Sequence, residues 1–170
     1  KLPKLRAAHI EEMYEKLEKN SEFKEWKKEN KDCFLSYMFK IMPNDEDWQV
    51  GFYDKEKDSI TTFKFVNDKL EITPGLEVFK KEDTNVKGLE LKDVKVELEE
   101  ALKVANKIRA EKYKVDSSKI IVLLQKLDAG QVWNITYITN TLSTLNIKLD
   151  CDSGDVLSEE LIPLTNYKSE

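Results

Sequence analysis

Histidine occurs once in this 170-residue chain, at His9, and cysteine twice, at Cys33 and Cys151. Any Ser-His or Cys-His nucleophile would therefore have to use His9, which stands near the N-terminus at the start of a helical stretch, with no G-x-S-x-G elbow anywhere in the chain. His9 reads as a solvated helix residue. Multi-histidine zinc sites are excluded by the same scarcity, and two distant cysteines do not replace the missing ligands. The five glycines are scattered, so there is no glycine-rich loop to cradle a phosphate. These absences leave no catalytic residue, cofactor-binding residue or metal ligand to name, and the ligand-binding residues are unknown.

Arginine is nearly absent too, with only Arg6 and Arg109, and 33 acidic against 28 basic residues leave a net charge of −5. A polyanion partner needs a basic surface and planar arginine forks, so nucleic acid is not expected. Charges of both signs interleave along the chain, as on a solvated exterior. No apolar run approaches the roughly 20 residues needed to cross a bilayer, and no basic segment leads into a short apolar one. The chain reads as water-soluble, without a membrane span. It begins at Lys1 without an initiating Met, so a signal peptide or anchor upstream stays open. Cys33 and Cys151 permit one disulfide, but spacing does not decide whether they meet; both lie beside strand-like segments, where a lone cysteine commonly serves as a small apolar filler.

Apolar residues make up 40% of the chain and charged residues 36%, enough for a real core under a heavily charged surface. A chain of this length forms one ordinary domain or two small ones. Internal repetition favours two. A helical stretch followed by Phe34-Leu-Ser-Tyr-Met-Phe-Lys-Ile41, Trp48-Gln-Val-Gly-Phe-Tyr53 and Ser59-Ile-Thr-Thr-Phe-Lys-Phe-Val-Asn-Asp68 is answered, in order, by a second helical stretch. After it come Ile120-Ile-Val-Leu-Leu-Gln-Lys-Leu127, Trp133-Asn-Ile-Thr-Tyr-Ile138 and Ser143-Thr-Leu-Asn-Ile-Lys-Leu-Asp-Cys-Asp152. Trp48 matches Trp133, Lys40 matches Lys126, Ser59 matches Ser143, Lys64 matches Lys148 and Asp68 matches Asp152. We expect a first unit over 1–79, a connector over 80–91 and a second unit over 92–170.

In the second unit Val94, Leu98, Ala101, Leu102, Ala105, Ile108 and Tyr113 recur at helical spacing, opposite Glu99, Glu100, Lys103 and Lys107. In the first, Ile10, Met13, Tyr14 and Leu17 form a similar stripe, continued by Phe23 and Trp26 after a break near Asn20-Ser21. The later segments alternate with period two, and the short polar turns between them cannot carry a parallel crossover. Each unit is thus a helix plus an antiparallel meander, an α+β arrangement. The segments 34–42 and 120–127 are apolar at consecutive positions, so both faces should be dry and both strands central, with a helix over one face. The other half is the expected second cover, by sheets packed together or joined in one continuous layer.

The run Val96-Glu-Leu-Glu-Glu-Ala-Leu-Lys-Val-Ala105, the strand with Trp133, and Leu145-Asn-Ile-Lys-Leu-Asp-Cys-Asp-Ser-Gly-Asp-Val-Leu-Ser158 together resemble the PepSY domain. That family has a helix carrying an EEA…A pattern, then strands, then an Asp, a Gly and an aliphatic pair in its last hairpin. The resemblance covers about residues 94–160. The first half shares the layout, but Val66-Asn-Asp-Lys-Leu-Glu-Ile72 lacks the glycine. The resemblance implies a tandem of small α+β modules of the PepSY, cystatin-like kind, found outside the cytoplasm or on envelopes, inhibiting or regulating a protein such as a peptidase. It transfers no catalytic residue.

Three further features have bland and functional readings. Asp150-Cys-Asp-Ser-Gly-Asp155 looks like the start of a calcium loop, yet its glycine comes one residue early and no Glu stands six beyond it, so a hairpin turn is expected. Trp48 and Trp133 fit core plugs better than paired stacking platforms. Asn134-Ile-Thr136 matches a glycan acceptor pattern but lies mid-strand. The expected function is non-enzymatic: a binding or regulatory module of the cell envelope or exterior that presents sheet surface or an edge strand to a protein partner. The alternatives are a carrier with an apolar pocket for a small ligand and, behind it, a carboxylate-dependent hydrolase.

Overall fold

The alternating segments form eight antiparallel strands: β1 (Phe34–Met42), β2 (Gln49–Asp54), β3 (Ser59–Val66), β4 (Lys69–Glu77), β5 (Ser117–Leu127), β6 (Gly130–Thr139), β7 (Ser143–Asp150) and β8 (Val156–Pro163). They belong to a computed structural model, which describes residues 6–44, 46–77 and 85–166. All eight join in one sheet, in the order β4-β3-β2-β1-β5-β6-β7-β8. From the middle outward, the chain lays down β1 to β4 on one side and β5 to β8 on the other. β1 and β5 are central, as their apolar sequences require. They hydrogen-bond to each other from Tyr37↔Gln125 to Met42↔Ile120, so the sheet is continuous and not a pair of stacked sheets. Of the expected connector, residues 80–84 lie outside the described residues. Beyond them Leu89 donates its N–H to the Leu35 carbonyl (2.8 Å), and the Glu90 backbone exchanges two hydrogen bonds with the Gln131 amide.

Three helices, α1 (Arg6–Lys19), α2 (Ser21–Glu29) and α3 (Leu98–Lys107), supply the other half of this α+β fold. The break between the first two falls at Asn20, whose side chain accepts the Phe23 N–H (3.0 Å) and caps α2. At the far end of α2, the Asn30 side chain donates to the Trp26 carbonyl (2.7 Å), an acceptor the helix end leaves open, and Lys27 Nζ donates to the carbonyls of Asn30, Lys31 and Cys33 in the loop beyond. The buried stripe Ile10, Met13 and Leu17 of α1 and the stripe Leu98, Ala101 and Ala105 of α3 share one core with Met38, Val50, Phe52, Phe63, Val122, Leu124, Trp133, Ile135, Tyr137, Leu145, Ile147 and Leu149. Phe23 and Trp26, one turn apart on α2, wedge edge-on against Phe63 at 5.1 and 4.8 Å between ring centres.

Val94 is not part of the third helix, contrary to expectation. It follows a 3₁₀ turn (Leu91–Asp93), and α3 starts only at Leu98 because Lys95 and Val96 both donate their N–H groups to the Cys151 carbonyl instead. Ile108 to Tyr113 continue α3 as a π-helical turn, closed by Lys114 in a left-handed conformation.

Three details of the sheet depart from the sequence pattern. The segment from Ser59 to Asp68 is not one strand, because Asn67 and Asp68 both take positive φ (50° and 62°) and fold β4 back on β3; their short polar side chains tolerate that region. A fourth strand follows in each half. The far faces of β1 and β5 are also less dry than their sequences suggest. Met38, Val122 and Leu124 are fully buried under the helices, whereas Phe39, Ile41, Ile121 and Leu123, which alternate with them, are half-buried, and no helix among the described residues lies over them. The second half covers β1 by hydrogen-bonding along its edge and not by stacking on its face.

On that open face Tyr37 lies flat over Gly51, directly opposite it on β2, and a Cβ added to Gly51 would stand 2.2 Å from the tyrosine ring. The glycine makes room for the ring, and the ring covers the bare backbone. Gly51→Ala should therefore cost about 1–3 kcal/mol of stability by chemical denaturation, and much less in a Tyr37→Ala background. An equal cost in both backgrounds would place the clash elsewhere.

Candidate functional site

The residues that could carry chemistry are dispersed. His9 falls in α1, and its side chain is outside the described set. Cys33 and Cys151 are both free and buried, so the disulfide that the sequence permitted is not formed. Burial pushes the Cys151 thiol up to about 12, with Asp150 adding to the effect, and burial also raises Cys33. Neither is a poised nucleophile. Among the described residues no group of three or more His, Cys, Asp or Glu side chains is placed to hold a metal ion.

The Asp150–Asp155 segment is the turn between β7 and β8. Asp150 Oδ1 accepts the N–H groups of Asp152 (2.7 Å) and Ser153 (2.9 Å), and those bonds hold its carboxyl below the usual carboxylate range. Gly154 completes the turn at φ +80°. Trp48 and Trp133 meet in the core, their rings 6.3 Å apart, and Trp133 Nε1 donates to the Val96 carbonyl (2.9 Å). They are plugs and not ligand platforms. Asn134, of the glycan acceptor pattern, sits half-buried in β6, donating to Gln125 Oε1 (2.8 Å) and accepting from Asn146 (2.6 Å).

Asn134 belongs to a polar array that spacing did not reveal. Gln125, Asn134, Asn146 and Lys148 lie on the open face of β5, β6 and β7, linked in sequence, with Thr136 Oγ1 accepting a second bond from Asn146. Under the helices, Tyr137 Oη donates to Asn106 Oδ1 (2.5 Å) and Arg109 lies over the Tyr137 ring at 5.6 Å. Beside them Glu159 of β8 accepts from Tyr113 Oη (2.8 Å) and pairs with Lys112 on the π turn. The lysine bond first, then the tyrosine bond, hold the Glu159 carboxyl low. The Asp150 and Glu159 carboxyls are both displaced downward, the reverse of what a general acid needs.

Among the described residues, two surfaces bear on recognition. A groove of about 440 Å³ at the end of β1 is lined by Tyr14, Lys27, Cys33, Leu35, Phe52 and Leu89. The second is the pair of sheet edges. Edge β4 carries Pro74, which has no N–H, and Gly75 at φ +74°, opposite a register break between Ile60 and Thr62. Edge β8 has no proline before its last residue, Pro163, but it too breaks register, at Leu157 against β7, and Val156, Leu157 and Leu161 on it are exposed.

No protein-family model and no curated protein matches the chain. Among solved structures, the crystal structure of a "putative lipoprotein" from Clostridium difficile 630 is similar in fold, with a TM-score of 0.53 over 80% of this chain and 87% of that one, at 19% identity. No described helix is long and apolar enough to cross a membrane.

The burial of groups in this site has two measurable consequences. Ellman's reagent should find no reactive thiol in the native protein and two after denaturation; a fast native reaction at either cysteine would contradict its placement. Burial also raises the phenols of Tyr14 and Tyr137 from 10.0 to about 12. The stability they add is complete below the unfolded value near pH 10 and is lost as pH rises towards 12. The urea midpoint should fall across that window, and fall less in the Tyr14→Phe, Tyr137→Phe variant.

Proposed function

We propose that this protein is a non-catalytic binding or regulatory module of the cell envelope or exterior, which engages a partner protein through the β8 edge of its sheet. The observation that carries the reading is the asymmetry of the two edges. An open strand presents unpaired N–H and C=O groups as a template for another chain. In β4 that template lacks a donor at Pro74 in mid-strand, while β8, which also shifts register against β7 at Leu157, has no proline before Pro163 and exposes Val156, Leu157 and Leu161. The envelope location is supported by the fold shared with a protein described as a lipoprotein. The outward order of strands from β1 and β5 supports the further proposal that the chain is a tandem of two PepSY-like units fused through their first strands.

A photo-crosslinker at Leu157 should capture a protein from native envelope extract, while the same group at Glu71 on β4 should not. Equal capture from both edges, or none from β8, would sink this reading.

A second reading, a carrier of a small apolar ligand, draws on the groove beside Tyr14 and Phe52, whose volume lies at the lower end of the usual range for ligand sites. It predicts that a hydrophobic dye binds stoichiometrically and is lost in Phe52→Lys; a dye that binds weakly and nonspecifically would dismiss it.

A further inference from the structure

The chain between the two halves, residues 87–93, is lightly held. Pairing of β1 with β5 stops at Tyr37↔Gln125, and beyond it the Leu35 carbonyl accepts the Leu89 N–H (2.8 Å). Leu89 is the one buried residue of this segment, at 5% exposure; Leu91 is half-buried against the core, and Gly88, Glu90, Lys92 and Asp93 are exposed. A side chain and not a strand completes the attachment. The Gln131 amide donates to the Glu90 carbonyl (2.9 Å) and accepts the Glu90 N–H (2.5 Å). Lys87 also pairs with Asp128 (3.4 Å), but both side chains are exposed, and such a pair contributes little. The chain is next fixed at Lys95 and Val96, whose N–H groups both go to the Cys151 carbonyl. A segment tied by one buried leucine and three hydrogen bonds opens at far lower cost than the sheet behind it.

The same segment forms one side of the groove at the end of β1. Gly88, Leu89 and Lys92 line it together with Tyr14, Cys33 and Phe52. Cys33 faces this groove, yet it is only 6% exposed. Cys151, by contrast, lies wholly within the core, behind the point where Lys95 and Val96 are clamped.

We propose that residues 87–93 are a hinged strap, anchored by Leu89 and latched by Gln131, which swings away while the sheet stays folded and opens the groove down to Cys33. Its downstream hinge is Val94, next to the clamp on Cys151. The two thiols then become accessible by different routes, Cys33 with the strap and Cys151 only when the fold comes apart. A molecule entering the groove would select the open arrangement, but the strap opens whether or not a ligand uses the groove.

The test is slow alkylation of the full native chain by iodoacetamide. Each cysteine is followed by mass spectrometry relative to its rate in the unfolded chain, and the Leu89 amide is followed by hydrogen exchange. Cys33 should react at least about tenfold faster than Cys151. Its rate should be nearly flat in urea well below the unfolding midpoint, because opening the strap exposes little surface, whereas the Cys151 rate should climb steeply. Gln131→Ala removes the latch and should speed Cys33 alkylation and Leu89 exchange together, by about tenfold. Equal rates and equal urea dependence at the two cysteines would overturn the strap, since only global unfolding would then expose either thiol. A faster Cys33 that ignores Gln131→Ala would also overturn it, because an opening elsewhere leaves the latch closed.

Discussion

The antiparallel pairing of β1 with β5 is the constraint on which the rest of the structure depends. Six residue pairs, from Tyr37↔Gln125 to Met42↔Ile120, join strands far apart in sequence and turn two local meanders into one eight-stranded sheet. Each strand then has a neighbour on both sides except β4 and β8. Once that pairing exists, all three helices can share one face, and the core becomes a single cluster from Ile10 to Cys151. Without it, each meander would keep an apolar first strand with an unpaired edge, in a unit too small to bury much of its own surface.

Continuity also divides the molecule by face. Beneath the helices lie the rings of Phe23, Trp26, Phe52, Phe63 and Trp133, with the polar tips of Trp133 and Tyr137 satisfied by Val96 and Asn106. The open face is managed differently, with Tyr37 spread over Gly51 and the chain Gln125, Asn134, Asn146 and Lys148 consuming one another's hydrogen-bonding capacity. A face whose polar groups are already matched offers little to a ligand, which is why the reading of function moves to the edge. The titratable groups agree: Asp150 and Glu159 are spent on a turn and on a cation, and both thiols are buried.

Much of the fold was legible in the sequence because period two and period 3.6 are local consequences of which face is wet. The three helices, the break at Asn20, and the central places of the strands at 34–42 and 120–127 follow from that patterning. The turn at Asn67-Asp68 was harder to read, because Val66-Asn-Asp-Lys69 interrupts the alternation for only two residues. The late start of α3 was not legible at all, since it depends on the Cys151 carbonyl capturing Lys95 and Val96 from across the fold. The candidate site was least legible: the Tyr113, Lys112 and Glu159 cluster and the amide array unite residues from separate elements, with no spacing to mark them.

By itself, the sequence determined the element types, the antiparallel connections and the burial of Trp48 and Trp133, since each follows from residue chemistry and local period. Only the tertiary structure decided that the halves join edge to edge, that Cys33 and Cys151 stay apart, and that both sheet margins carry a register break, with a proline in mid-strand at only one of them. Hydrogen bonding along a strand is the same for every residue except proline, so side-chain patterns carry almost no record of which strands will become neighbours.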